Sequence, residues 1–567
     1  MKDKLEIEGY FTDKELIKIL CKKRAIAAKK VHDDHFFRNI SHKAPTPHKH
    51  LEKEIFSFFP PRSKWIRLKK HEREIRGSNA VETNAIQLER TIWREVKKCE
   101  TLGTEQPNWL KILFEFTEKI REDVFDETRN FKISSPAIIP VIKDKKENSY
   151  RPISLFKLND LIIIGQIARY LSNCFDPLFS DSSYAFRTGI RKGKVFNHHK
   201  AIENIIEFKT KAGKPLYVSE CDIKKFYDCV NHSKISEEFK SITKEAKTIL
   251  NITINNRAIY FFNSYLKAFS FNDDIKKKEQ ELLKNAGILN GTIPWVKDEE
   301  LLEVNSNPQI ERIGVPQGGA ISCLIANILL THVDRVVNAN SDNNTFYGRF
   351  CDDMVLMHTE KEKCESLLEI YQTALIDVKL ISHKPLPFKE YGRDFWNENL
   401  KSKLPYKWAI NYRTKEHSKK NVPWLSFVGY QIRYDGVVRV RNKSIKKELT
   451  KQVAETDKII NIVRKSPRIN SKAIRFRLQQ RLISMSVSRF KFGESKIKMC
   501  WCAGFKVLKY HPNLTNQIRR LDRNREKQIK RLDLYLKGVK TPLRKANKEV
   551  KPLKYYGHNY SYHKQFI

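Results

Sequence analysis

No run of about 18 apolar residues, the length that crosses a bilayer as a helix, is expected anywhere in this 567-residue chain. The most apolar stretch, LNDLIIIGQIARYL (Leu158 to Leu171), carries Asp160 and Arg169. The opening MKDKLEIEGY lacks the apolar core of a signal peptide. Both absences point to the cytoplasm and away from a membrane protein. Ten cysteines include no CxxC pair, which argues against a zinc ribbon. Scattered as they are, with Cys500-Trp-Cys502 the tightest spacing, they read as reduced and mostly buried thiols. Acid is scarce too: 66 Asp+Glu face 108 Lys+Arg, a formal net charge of +42. Solubility needs far less. Such an excess asks for a polyanion, nucleic acid first and an anionic membrane surface second.

Hydrophobic residues make up 40% and aromatics 11%, a globular composition rather than a disordered one. The length suffices for several domains. Charge is uneven: from Arg441 onward roughly 34 Lys+Arg meet 8 Asp+Glu, an excess of about +26. Within that region Lys443–Lys465 and Ser471–Phe490 space their apolar residues as helices, with basic residues between. A single basic helix is most simply a solvated face, but successive ones favour a nucleic-acid surface. The first 130 or so residues read as helical pieces. They are broken by HFFRNISHKAPTPHKH and FFPPR, where His32, His35, His48 and His50 form a weak candidate metal cluster.

Residues 131–434 alternate helical stretches with strand-like runs: SSPAIIPVI, PLYVSECDI, NTFYGRFCDDMVLM and WLSFVGYQI. In the third run two adjacent acids, Asp352 and Asp353, stand between apolar β-formers. That pattern suits a hairpin with Cys351-Asp352-Asp353 at its tip and Phe350, Val355 and Leu356 buried. Paired buried carboxylates are costly unless a cation joins them. A further carboxylate is Asp222, at the end of the second run, where a strand gives way to a helix start at Phe226 and Tyr227. Alone, Asp222 is better explained as a helix cap. With Asp352 and Asp353 it makes a candidate metal triad.

Seven motifs in order resemble those of reverse transcriptases: AIIPVIKDKKENSYRPISL (Ala137 to Leu155), SDSSYAFRTGIRKGKVFNHHKAI (Ser180 to Ile202), DIKKFYD, GVPQGGAISCLIANILL (Gly314 to Leu330), RFCDDMVL, LISHKP (Leu380 to Pro385) and FVGYQIRYDGVVRVRNKSI (Phe427 to Ile445). PQGG and FVGY place the pattern nearest the bacterial group II intron and retron-like branch. Phe350 and Cys351 stand where a tyrosine and a small residue are usual, and Cys323 where a proline is usual. Neither a zinc or HNH-type tail nor a VTG-like element is evident, so the stand-alone abortive-infection and defence-associated enzymes are the nearest match. A maturase or retron-like enzyme, an RNA-dependent RNA polymerase and a non-catalytic RNA-binding scaffold are the alternatives.

The resemblance implies an α+β right-hand polymerase. Its helical N-terminal extension would cover residues 1–130, fingers and palm 131–440, a helical thumb 441–500 and a basic C-terminal extension 501–567. It implies RNA-directed DNA synthesis on a structured non-coding RNA, with dNTPs as substrates, a DNA product, a homo-oligomer as an option and a role in antiphage defence. Asp222 and Asp352, with the Ile223 carbonyl and Asp353 in support, would hold two Mg²⁺ ions (or Mn²⁺) about 4 Å apart. Lys143 and Arg151 would grip the triphosphate, and Lys384 would protonate the leaving pyrophosphate. Tyr227 would exclude a 2′-hydroxyl, and Gln317 would touch template or incoming base. Arg187, Gly318, Gly319, Phe427, Gly429 and Tyr430 would handle template and primer. Tyr555, Tyr556, Tyr560 and Tyr562, interleaved with basic residues near the C-terminus, have three readings: packing, base stacking, or a phenol serving as primer, as is known in abortive-infection relatives.

Overall fold

The computed structural model describes residues 5–41, 50–69, 71–72, 80–189, 193–387, 401–410, 421–465, 471–487 and 512–540. The side chains of the His32–His50 cluster, Cys500, Cys502 and the four C-terminal tyrosines lie outside what it describes. The chain forms two compact units, one of Met1–Leu16 with Glu115–Val428, the other of Ile17–Phe114 with Gly429–Ile567. The first 130 residues, expected as a single extension, are thus shared between the units.

The first unit is built on an antiparallel sheet in the order β4-β5-β3-β6, formed by β3 (Leu216–Asp222), β4 (Thr345–Phe350), β5 (Asp353–His358) and β6 (Lys403–Trp408). Its strands are buried apolar runs, with Val218, Val355, Leu356 and Met357 wholly enclosed. The expected hairpin is there: Phe350 pairs with Asp353, leaving Cys351 and Asp352 as a two-residue turn. Cys351 has φ +60, as tight hairpins of this length require at their first turn residue. Phe350, expected in the core, is only half-buried and packs edge-on against His198.

Helices cover this sheet: α1 (Leu158–Phe175), α2 (His198–Ala212), α3 (His232–Leu250), α4 (Asn256–Lys267), α5 (Ala320–Ala339) and α6 (Lys361–Asp377). Asn197 and Asn231 cap α2 and α3 by accepting two main-chain N–H bonds each. α6 packs on β3, β5 and β6, while α5 packs against α1, α3 and α6. α5 corrects one expectation. By length and hydropathy it is apolar enough to span a bilayer, more so than the stretch in α1, yet 72% of its apolar window is buried in the protein. It is the central core helix of this unit.

A separate hairpin, β1 (Ala137–Asp144) and β2 (Ser149–Leu155), carries Lys143 and Arg151. Residues 268–296 brace it: Phe269, Phe271, Ile275, Leu283 and Ile293 form a cluster against which Ile138 and Tyr150 pack. Phe271 stacks on Trp295 with ring centroids 4.0 Å apart. β7 (Trp424–Phe427) ends the unit.

The second unit contains β8 (Tyr430–Arg433) and β9 (Val438–Val440), paired antiparallel. It also contains α7 (Asn442–Lys465), α8 (Ser471–Val487) and α9 (Pro512–Lys540). The two basic helices foreseen from spacing are α7 and α8. Ile459, Val463, Ile474, Leu478, Leu532 and Leu536 form their shared core with α9. Arg475–Asp533 and Arg531–Asp457 ion pairs tie the outer faces.

One buried pair anchors the β4–β5 hairpin. Arg349 on β4 and Asp334 on α5 are both fully enclosed, with Nη2 2.6 Å and Nε 2.8 Å from the carboxylate. Removing one partner strands the other charge in the core, which costs about 3–5 kcal/mol. Asp334→Ala is therefore expected to lose about that much unfolding free energy in a denaturant titration, while Asp377→Ala, an exposed acid paired only with His332, should lose under about 1 kcal/mol.

Candidate active site

β3 runs antiparallel to β5 with Asp222 directly opposite Asp353. Asp222 is the last residue of β3 and is 9% exposed, so it is a strand-end carboxylate and not a helix cap. Asp352, at the hairpin turn, lies near enough to feel it. Burial first, and then the Asp222 charge, raises the Asp352 pKa. Lys401 Nζ sits 2.7 Å from Asp222 Oδ2. The Asp222 main chain is fixed on both sides: its N–H donates to Ser402 Oγ at 3.1 Å and its carbonyl accepts from the His383 N–H at 2.9 Å. The neighbouring Ile223 is buried, and its carbonyl accepts no hydrogen bond among the described residues.

A buried and a half-buried carboxylate close together, with an uncommitted carbonyl, are donors suited to a hard divalent cation. The residues therefore fit the metal that such a site implies. They do not make a closed cage. Among the described residues no group of three His, Cys, Asp or Glu side chains is arranged to hold an ion. Asp353 is exposed and does not complete the expected triad. An open set is what a site needs if substrate phosphates are to supply remaining ligands.

A cationic cluster lies on the other side of the one-turn helix Phe226–Cys229. Asp228 there is almost fully enclosed. Burial raises its pKa to about 6 against the opposing pull of Lys225, Gln317, Lys143 and Arg151. Lys225, in the left-handed region at φ +45, is lowered to about 8 by burial. Lys143 and Arg151 are exposed beside it. Three cations from two distant segments thus converge, and charges of this type grip phosphates. Lys225 and Asp228 both lie in DIKKFYD but were not singled out in the sequence, because their other partners, Gln317, Lys143 and Arg151, lie far along the chain.

The PQGG turn joins the two clusters. Gln317 donates Nε2–H to Asp228 Oδ1 at 2.6 Å, so its amide is engaged by the protein and not held free for a base. The Ser154 N–H on β2 donates to the Gln317 carbonyl at 3.0 Å. Gly318, at φ +114, is exposed beside that link. Gly319 is buried, and a Cβ there would lie 1.9 Å from the Tyr265 hydroxyl. Its small size serves packing, not approach to nucleic acid. Tyr227 is half-buried, with its carbonyl accepting from Val315 N–H at 2.7 Å. Its hydroxyl lies 3.4 Å from Cys351 Sγ, and Cys323 is near enough to influence it. Both cysteines that depart from the reverse transcriptase pattern therefore meet at one phenol.

Other expectations need correction. The Arg187 side chain is fully enclosed, paired with Asp176 at 2.8 Å and donating to the carbonyls of Ser180 and Ser183. It braces its own loop and is closed to template phosphate. Lys384 is exposed, and no hydrogen bond or ion pair ties it to the acids; the amine at Asp222 is Lys401. Phe427 and Tyr430 are 5% and 4% exposed, so their rings are core residues and not primer contacts. Between them Val428 and Gly429, at φ +39 and +90, form a turn.

Residues 142–384, the span holding both clusters, match the family described as reverse transcriptase (RNA-dependent DNA polymerase). This is a reverse transcriptase domain. Its enzymatic class is RNA-directed DNA polymerase, a class that works with divalent metals. Comparison with curated proteins gave no match. Among solved structures, apo telomerase from Candida tropicalis is 12% identical with a TM-score of 0.31, over 74% of this chain and 68% of that one. Telomerase from Candida albicans with a fragment of telomeric RNA is 13% identical with a TM-score of 0.32, over 76% and 66%. The RNA-dependent RNA polymerase of a human picobirnavirus is 12% identical with a TM-score of 0.32, over 70% and 58%. At such overlap the assignment rests on the family match and the site.

Gly319→Ala in the reverse transcriptase domain is expected to cost about 1–3 kcal/mol by overpacking. Adding Tyr265→Phe, which removes the hydroxyl that the new Cβ meets, should return part of that loss in thermal unfolding. Equal stability of Gly319→Ala and the wild type would contradict the close approach.

Proposed function

We propose that the whole protein is an RNA-directed DNA polymerase that copies a dedicated structured non-coding RNA with Mg²⁺. The observation that carries this reading is the pairing of Asp222 with Asp352 at one end of the sheet. The cations Lys143, Arg151 and Lys225 gather around Asp228, which Gln317 of the PQGG turn bonds. Asp222, Asp352 and the Ile223 carbonyl would hold the metal. The chemistry supplied by the bound ions is activation of the attacking 3′-hydroxyl and neutralisation of the leaving pyrophosphate. Arg151 and Lys143 would orient the triphosphate, and Lys225 would add charge to that grip. Lys401 is placed to relax from Asp222 toward the departing phosphate. Tyr227, with its hydroxyl against the Cys351 thiol, would crowd the sugar C2′ and favour deoxynucleotides.

The RNA partner is supported by the charge of +42 and by the basic helices α7, α8 and α9. A cytoplasmic role in antiphage defence follows from the resemblance to stand-alone bacterial reverse transcriptases. An intron-type maturase or retron-like enzyme is the second reading, favoured by PQGG and FVGY.

The test is to purify the protein with its bound RNA, supply Mg²⁺ and dNTPs, and sequence RNA and product. DNA complementary to the bound RNA is expected from the wild type. Asp352→Asn should lower the rate at least about a thousandfold with RNA binding retained. Product from both proteins, or from neither, would refute the reading. Tyr227→Ala is expected to narrow the preference for dNTPs over NTPs, measured as a ratio of kcat/KM values. An unchanged ratio would remove Tyr227 from sugar selection.

A further inference from the structure

A groove of about 680 Å³ opens in the first unit, away from the acids, between α3 and α4. Helical spacing builds it. Ser233, Ser236 and Lys240 lie along one face of α3, Asn263 and Lys267 along the facing side of α4, and Arg312 adds a further wall. None of these residues belongs to the site around Asp222 and Asp352.

Its charge is unbalanced. Lys240 and Lys267 are exposed and make no ion pair among the described residues. The acid in the lining, Glu237, is already bonded to Lys234 at 3.2 Å. Arg312 is held in place by its backbone partners: Nη2 donates to the carbonyls of Lys267 at 3.0 Å and Phe269 at 3.2 Å. Its nearest carboxylate, Asp273, is 3.8 Å from Nη1 and is bonded more closely by Lys277 at 2.7 Å. A fixed guanidinium, two unneutralised ammonium groups, the Ser233 hydroxyl and an amide converge on one space, while the Ser236 hydroxyl donates to the His232 carbonyl at 2.7 Å.

These groups match phosphate oxygens. The volume would accept a nucleotide, but the lining contains no aromatic ring apart from the imidazole of His232, whose Nε2 is bonded to the Gly314 carbonyl at 2.7 Å. Leu266 is the one apolar side chain present. Nothing there is free to stack on a base. A free nucleotide would depend on its phosphates alone, whereas a strand draws affinity from many phosphates on a protein of charge +42.

We propose that this groove binds the phosphodiester backbone of a nucleic-acid strand, at a second site separate from the polymerase centre. The floor connects with that centre. His232 N–H donates to the Arg312 carbonyl at 3.0 Å, and Gly314, which His232 Nε2 contacts, leads through Val315 into the PQGG turn. A strand held by Arg312 would be anchored four residues before the turn that holds Gln317.

The test is equilibrium binding of a fluorescein-labelled single-stranded RNA to the full chain, by anisotropy, between about 50 and 200 mM salt. Lys240→Ala/Lys267→Ala is compared with Lys244→Ala/Lys247→Ala, which removes the same charge from α3 outside the groove. The groove variant should bind several-fold more weakly than this control. Its plot of log affinity against log salt should be shallower than the wild type by about 1.4, the loss of two phosphate contacts to a single strand. Equal losses in both variants would overturn the proposal, because charge alone would then account for them. ATP binding that depends on Lys240 and Lys267, with RNA affinity unchanged, would also overturn it in favour of a free nucleotide. Because the readout is binding, it is independent of whether the protein makes DNA.

Discussion

The buried ion pair of Arg349 and Asp334 is the constraint on which the hairpin carrying Asp352 and Asp353 depends. Both side chains are wholly enclosed, a placement that costs desolvation unless every polar atom is used. Here the atoms are used. Tyr347 donates its hydroxyl proton to Asp334 at 2.7 Å, and Arg349 donates further to Ser183 Oγ at 3.0 Å and to the Cys351 carbonyl at 3.1 Å. Burial opposes the Arg349 charge, but the Asp334 carboxylate outweighs it, so the guanidinium is held more firmly protonated than usual. The bond to Cys351 matters most for function. It clamps the left-handed residue just before Asp352, so the position of that acid is set by a buried salt bridge between β4 and α5.

From that clamp the rest of the site is joined by main-chain bonds. Arg349 N–H donates to the Ser182 carbonyl and Tyr184 N–H to the Arg349 carbonyl, each within 2.9 Å. Val315 bonds Tyr227, Ser154 bonds Gln317, and His383 bonds Asp222. The strand end at Asp222, Tyr227, the β1–β2 hairpin and the PQGG turn are therefore tied to the unit by main-chain bonds. Side chains supply the charges, while the backbone supplies the distances.

Much of this was legible because it is written in local pattern. Apolar β-formers on both sides of Asp352 and Asp353 foretold the hairpin, and the strand ending at Asp222 foretold the facing acid. What escaped the sequence depends on partners far along the chain. Arg187 looks like any surface arginine until Asp176 and two rings, Phe179 and Phe196, enclose it. Lys401 stands 179 residues from the acid it touches, and Lys384 was the nearer guess. Gly319 is a glycine because of Tyr265, which no spacing rule connects to it. α5 reads as a membrane helix by hydropathy alone because a core helix packed on several sides has no polar face.

The most direct measurement is single-turnover nucleotide incorporation by an Arg349→Met/Asp334→Leu double variant. Replacing both charges with apolar groups of similar volume keeps the core filled, so the protein should fold and bind RNA as the wild type does. Without the bond to the Cys351 carbonyl, Asp352 is no longer held in register. The rate should then fall by about a hundredfold, the cost of a misplacement near 1 Å. A folded double variant that incorporates nucleotide at the wild-type rate would show that the buried pair does not position the catalytic acid.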